Sequence, residues 1–152
     1  MKPNKIKKVL IALDYDETAH KVAEEGYSIA KAMNGETILL HVISEKPVYY
    51  SAYMYMRELQ VDIMSDLKKS TQNFLNKTKD LLGDESIQTV LKEGEIAETI
   101  LDTAKVLKVD MIVLGTHSRK WLEKIIMGSV AEEILKDTTI PLYIIPTKSL
   151  DE

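Results

Sequence analysis

No cysteine occurs in this chain, which excludes a disulfide framework, a thiol nucleophile and Cys-ligated zinc. A surplus of positive charge is missing too: 20 Lys and Arg stand against 24 Asp and Glu, a formal net charge of −4. Phosphate-backbone binding needs a basic surface, so this balance argues against a general nucleic-acid binder. Long apolar runs are lacking. Met1-Lys-Pro-Asn-Lys leads into a strand of about six apolar-rich residues, too short for a signal-peptide core or a membrane span. The expected location is therefore the cytoplasm, with neither membrane nor nucleic acid among the partners. No linker or internal repeat interrupts the pattern, and residues 1–152 read as one domain.

What the chain does have is alternation. Of its residues 45% are hydrophobic and 29% charged, the composition of a soluble globular protein. Short β-branched runs alternate with helical periodicity, which predicts an α/β fold around a parallel sheet. Strands are expected at about Lys7–Leu13, Thr37–Ile43, Ile87–Leu91, Met111–Leu114 and Leu142–Ile145, the third short, partly polar and therefore at a sheet edge. Between them the apolar stripes of four helices recur. The first runs from Ala19 to Met33 and stops at Asn34-Gly35, and the second carries Ile63, Leu67, Phe74, Thr78, Leu81 and Leu82. The third holds Ile96, Ala97, Ile100, Leu101, Ala104 and Leu107, and the fourth Val130, Ala131, Ile134 and Leu135.

One segment carries chemistry. Met111-Ile-Val-Leu-Gly115-Thr-His-Ser118-Arg119 is a strand that stops at a glycine and gives way to a polar loop; with nine residues between it and Ser118, Gly128-Ser129 opens a helix. A glycine turn beside a helix N-terminus makes an anion cradle, because the first helical amides lack intrahelical acceptors. The hydroxyls of Thr116, Ser118 and Ser129 and the charges of Arg119, Lys120 and Lys124 add donors and a positive field. A phosphate is the fitting ligand. Two other phosphate motifs are absent: G-x-x-x-x-G-K-[ST] of P-loop enzymes, and G-x-G-x-x-G after the first strand.

The pattern that remains, G-x-x-[GS]-x9-G-[ST], resembles the nucleotide motif of the universal stress protein family in its ATP-binding branch. The likeness extends through Val9-Leu-Ile-Ala-Leu-Asp14, Leu39-Leu-His-Val42, Gly128-Ser-Val-Ala-Glu132 and Pro141-Leu-Tyr-Ile-Ile-Pro146. One position departs from it: the family usually has a second glycine where this chain has Ser118. The resemblance implies a single-domain, doubly wound, five-stranded parallel sheet of order 3-2-1-4-5 with helices on both faces. The order then reverses between strands one and four, and ligands of open α/β sheets bind outside the carboxyl ends of strands at such a switch point. It also implies that adenine nucleotide (ATP, or AMP or ADP) contacts Ala12, Leu13, Asp14, Val42, Leu114, Gly115, His117, Ser118, Arg119, Gly128, Ser129 and Val130. Two subunits would pair antiparallel through Leu142–Ile145, giving a stress-response homodimer.

Several of these residues admit a plainer role. Asp14 either caps a helix or accepts from ribose hydroxyls or the adenine edge. Val42 is by itself a core valine. With Tyr15-Asp16 after Asp14, the loop is bulkier and more acidic than the family norm. Two acids near phosphates repel them unless Mg²⁺ intervenes, so the metal stays open. His117 fits phosphate hydrogen bonding or exposure better than catalysis, and no catalytic residue is assigned. Trp121 and its apolar neighbours either pack back on the domain or form a partner patch. The segment Val48–Met56 holds four of the seven tyrosines and is either a core cover or dimer contact, or a lid or client patch. Two rival readings stand beside nucleotide-dependent regulation: a slow ATPase using Arg119 or Lys120 with His117 or Asp14, and a structural stress protein that binds no nucleotide.

Overall fold

The β-branched and leucine-rich runs in the middle of the sheet become strands because helices bury them on both sides, which removes the need for polar alternation. The computed structural model describes residues 1–44, 57–116 and 129–147. Its strands are β1 (Lys8–Ala12), β2 (Glu36–Ser44), β3 (Gln88–Gly94), β4 (Met111–Gly115) and β5 (Leu142–Ile145). The helices are α1 (Ala19–Ala32), α2 (Arg57–Leu82), α3 (Ile96–Val106) and α4 (Ser129–Asp137). All the strands run parallel in the order β3-β2-β1-β4-β5, the expected doubly wound topology.

Side chains alternate across the sheet and divide the core in two. Val9, Ile11, Leu13, Leu39, Met111 and Val113 pack with Val22, Ala23 and Ala30 of α1 and Leu75 of α2. Leu10, Ile38, Leu40, Val42, Ile112 and Leu114 pack on the other face with Ile100 and Ala104 of α3 and Ala131 and Ile134 of α4. Edge strand β3 is only partly buried, as its mixed composition predicts. Among the described residues no helix is long and apolar enough to cross a membrane.

Three helices finish at the end of the sheet where strands begin, each with a residue in the left-handed region. These are Asn34 (φ 56), Gly83 (φ 71) and Lys108 (φ 54). After α1 and α3 the amide beyond that residue returns to the last turn, Gly35 N to Ala30 O at 2.8 Å and Val109 N to Ala104 O at 3.0 Å. The sequence places the turn at Asn34-Gly35; the left-handed residue is the asparagine. A basic residue lies in the last turn of every described helix (Lys31, Lys79, Lys105 and Lys136), where it offsets the negative end of the helix dipole. The same rim is stitched by Asp110, whose Oδ2 accepts from the amides of Lys7 and Lys8, both at 2.9 Å. Asp84 accepts there from Tyr27 Oη at 2.8 Å and Ser86 Oγ at 2.6 Å.

Candidate functional site

The opposite rim gathers the residues singled out in the sequence. β1 and β4 are hydrogen-bonded neighbours with Ile11 level with Val113, so Leu13-Asp14 and Gly115 leave the sheet side by side. About a hundred residues of sequence separate them, and the reversal of strand order brings them together. α4 joins parallel strands β4 and β5 and therefore runs against them, so its first residue returns to this same rim.

Each described candidate has a definite place. Ala12 ends β1, half-buried against the α3–α4 core. Leu13 is buried in the α1–α2 core, while Asp14 is exposed at the strand exit. Val42 is 6% exposed and lies on the α3–α4 face of β2, and Leu114 occupies that face of β4. Ser129 is exposed as the first residue of α4, and Val130 packs half-buried behind it. His117, Ser118, Arg119 and Gly128 lie outside the described residues, as do Lys120, Trp121, Lys124 and the segment Val48–Met56.

Three features of the rim add to the sequence reading. A Cβ on Gly115 would stand 2.7 Å from Thr147 Cγ2 and 3.0 Å from Val22 Cγ2, so packing demands the glycine there whatever a ligand requires. The hydroxyl of Thr116, counted above among the phosphate donors, faces the chain's own tail. It accepts from Thr147 N at 3.1 Å and lies 3.0 Å from Thr147 Oγ1, while Thr116 N donates to Ile145 O at 3.0 Å. Asp16 Oδ1 accepts from Thr18 N at 2.8 Å and Thr18 Oγ1 at 2.6 Å, closing the turn into α1. Asp16 thus takes part in shaping this helix start.

The chain itself closes a further helix start on this rim. At α3, Glu95 lies just ahead of the first turn and accepts from Glu98 N at 2.8 Å and Ala97 N at 3.4 Å, so a built-in carboxylate already occupies the amides. At α4 the first helical residue is a serine, whose hydroxyl is small and neutral. An anion has little reason to approach the start of α3.

A further feature escaped the sequence reading. The ring Nδ1–H of His41 donates to the carbonyl of Leu13 at 2.7 Å. A lone polar residue inside the apolar run Ile38–Ile43 was the available signal. Tyr15 lies over this histidine with centroids 6.3 Å apart, and meets the Phe74 ring edge-on at 4.9 Å and 82°. Among the described residues no group of three or more His, Cys, Asp or Glu could hold a metal ion.

The sequence pattern of the Universal stress protein family matches residues 5–146. Universal stress protein MJ0531 of Methanocaldococcus jannaschii is 30% identical over 144 residues, spanning 93% of this chain and 83% of that protein. The solved structure of MJ0577 from the same organism superimposes with a TM-score of 0.78 at 27% identity, covering 96% of this chain and 99% of that one. A universal stress protein solved in complex with cAMP shares the fold, with a TM-score of 0.66 at 16% identity over 95% of this chain and 100% of its own. A pattern that spans nearly the whole chain and a sheet wound in the same order place it firmly: the chain belongs to the universal stress protein family.

Proposed function

We propose that this protein, acting as one domain over residues 1–152, binds adenine nucleotide at the switch point between β1 and β4 and works as a stress-response regulator. The observation that carries the reading is the start of α4. It is a helix N-terminus headed by the exposed Ser129, on the rim where Asp14 and Gly115 leave adjacent strands at the reversal of strand order. The triphosphate lies along the loop from Gly115 to Ser129, with His117, Ser118, Arg119 and Gly128 as its nearest groups. The base lies against Val42 and the exit of β1, near Asp14, with Ala12, Leu13, Leu114 and Val130 as the floor. The cAMP held by one relative of the same fold is an adenine nucleotide as well. Mg²⁺, where present, travels on the phosphates, since hard cations with several retained waters favour phosphate oxygens over a protein cage.

A homodimer through β5 belongs to this reading. Among the described residues the strand has no neighbour on its outer side; it carries Leu142, Tyr143, Ile144 and Ile145, and leaves Tyr143 36% exposed. The other edge, β3, is defended by Lys92 and Glu93, the latter paired with Lys68 of α2 at 2.9 Å. An uncharged edge beside a charged one points to pairing at the uncharged one, in the cytoplasm where such a regulator would act.

Calorimetry with ATP and GTP tests the site: heat with ATP and a weaker response to GTP are expected. No binding of either at millimolar ligand would overturn the reading. Light scattering tests the dimer, and a monomer at tens of micromolar protein would overturn that part.

A further inference from the structure

We infer that His41 is a positioning residue for the base-binding half of the proposed nucleotide site, setting the β1 exit without touching the ligand. The inference rests on the site proposed above and adds to it a residue that governs selectivity for the purine.

The pairing of β1 with β2 runs as far as Ala12 level with Leu40. One residue on, Leu13 N still donates to Leu40 O at 2.8 Å. In a parallel ladder the Leu13 carbonyl would next take a backbone amide of β2. Here the His41 ring Nδ1–H donates to it at 2.7 Å. A carbonyl can only accept, so Nδ1 carries the hydrogen. The ladder bond is replaced by a side-chain bond at the peptide that leads into Asp14, which allows the chain to leave the sheet at a fixed angle.

His41 alternates with Val42 along β2. Leu39 belongs to the α1–α2 core and Val42 to the α3–α4 core, so the imidazole projects on the face opposite Val42. A base packed against Val42 is separated from the ring by the sheet itself. His41 therefore acts through Leu13, and the residue after Asp14 completes the arrangement. The Tyr15 ring covers His41 at 6.3 Å and is itself fixed edge-on to Phe74 of α2 at 4.9 Å. Asp14 is thus flanked by one neighbour held through its carbonyl and another held through its ring. Such bracing lowers the ordering cost of presenting a carboxylate to a base or ribose edge, and so affects the base half of the ligand more than the phosphate half.

His41→Leu keeps the bulk and removes the donor, whereas His41→Asn keeps a short amide donor near the place of Nδ1. Binding of ATP, GTP and inorganic tripolyphosphate to both variants and to the wild type is measured by calorimetry. For His41→Leu the expectation is a roughly tenfold loss of ATP affinity, in line with one lost positioning hydrogen bond, and a reduced preference for ATP over GTP. Tripolyphosphate affinity should stay within about twofold, and His41→Asn should recover most of the ATP binding. Unchanged ATP affinity in His41→Leu, or equal losses with ATP and tripolyphosphate, would overturn the inference. If His41→Leu does not fold, His41→Asn is set against His41→Gln, whose amide sits one carbon farther out. A selective loss of ATP binding in the glutamine variant supports the inference, and equal binding in the two overturns it. A wild-type protein that takes up neither ATP nor tripolyphosphate removes the site and this inference together; wild-type binding with an indifferent His41 removes the inference alone.

Discussion

The two ends of the sheet are built from opposite materials. At the end where strands begin, the backbone groups of helix ends and strand starts are answered by the protein: left-handed residues turn the chain after α1, α2 and α3, and Asp110 accepts two amides of the β1 start. Asp84 ties Tyr27 of α1 to the α2–β3 turn. At the other end the chain exits through Asp14, Gly115 and Ser129, residues that are exposed or small, while Asp16 and Glu95 close the starts of α1 and α3. The difference separates stability from function. On the proposed reading, a closed end contributes free energy of folding, whereas the other end serves a ligand and gains its stability from elsewhere in the fold.

The largest effect is expected from removing that difference. Ser129→Asp would give α4 a fixed negative group of the kind that Glu95 gives α3. Nucleotide affinity should fall roughly 10- to 100-fold, because the carboxylate competes with and repels phosphate at the helix start, while folding stability holds or rises slightly. Calorimetry with ATP alongside thermal unfolding separates the two quantities, and a folded variant with wild-type affinity would remove phosphate from this helix start. The converse change, Glu95→Ala, should cost about 0.5–2 kcal/mol of stability and leave ATP affinity alone.

Next in size is the stitch at the closed end. Asp110→Ala leaves the Lys7 and Lys8 amides without their acceptor, and the half-buried Lys8 amide has less access to water. A loss of about 1–3 kcal/mol is expected, with ATP affinity unchanged because the proposed site lies at the far ends of the same strands. Denaturant titration checks the first part and calorimetry the second. A binding defect in a folded Asp110→Ala protein would mean that the two ends are coupled through the sheet.

Much of this contrast could be read from the chain before the structure. Strand and helix positions follow from periodicity, and β5 occupies Leu142–Ile145 as expected. Less was legible where tertiary contacts decide. α2 begins at Arg57, six residues before the apolar stripe at Ile63, since a helix can continue past the surface that specifies it. Periodicity locates buried faces and is blind to such extensions. Thr116 reads as a ligand donor from its neighbours in sequence, yet its hydroxyl meets Thr147, thirty-one residues on. Gly115 reads as a ligand glycine, yet Thr147 and Val22 fill the space a side chain would need. Both readings miss the same contact: the tail after β5 meets the end of β4, and no local pattern encodes a meeting of distant segments.

A smaller effect sharpens the picture of the closed end. Lys108 takes φ 54 after α3, a conformation that costs a side-chain-bearing residue about 1–2 kcal/mol and glycine very little. Lys108→Gly should therefore stabilise the protein, by about 1 kcal/mol once the greater chain entropy of unfolded glycine is counted. The same change removes a positive charge near the α3 terminus, which works in the opposite direction but at an exposed position. A rise of roughly 2–4 °C in the unfolding midpoint is the expected reading for a chain of this size. A fall would show that the lysine's charge at the helix end outweighs its backbone strain.

The smallest effect is a matter of pH. Hydrogen bonds from Ser86 Oγ, Tyr27 Oη and the Ser86 amide, with a minor contribution from Lys31 at 3.9 Å, lower the Asp84 pKa from 3.8 to about 2. A depressed folded-state pKa contributes stability that is complete above the unfolded value and is lost as pH falls towards the folded one. Acid should therefore weaken the protein between about pH 4 and pH 2 in part through Asp84, and Asp84→Asn should flatten the stability profile in that window alone. Tyr27 shows the reciprocal behaviour, since its bond to Asp84 and the nearby carboxylate favour the neutral phenol and raise its pKa above 10.0. Its contribution is present below pH 10 and fades as pH rises through the folded value, so Tyr27→Phe should reduce the alkaline loss and also bring the Asp84 pKa back towards normal. Both groups are reached by solvent and screened by salt, which keeps the effect modest and makes it shrink as ionic strength rises. Chemical-denaturant midpoints from pH 2 to pH 6 at low and high salt, for wild type, Asp84→Asn and Tyr27→Phe, would show it. Parallel profiles for the wild type and Asp84→Asn would mean that this cluster adds nothing to the acid stability of the closed end.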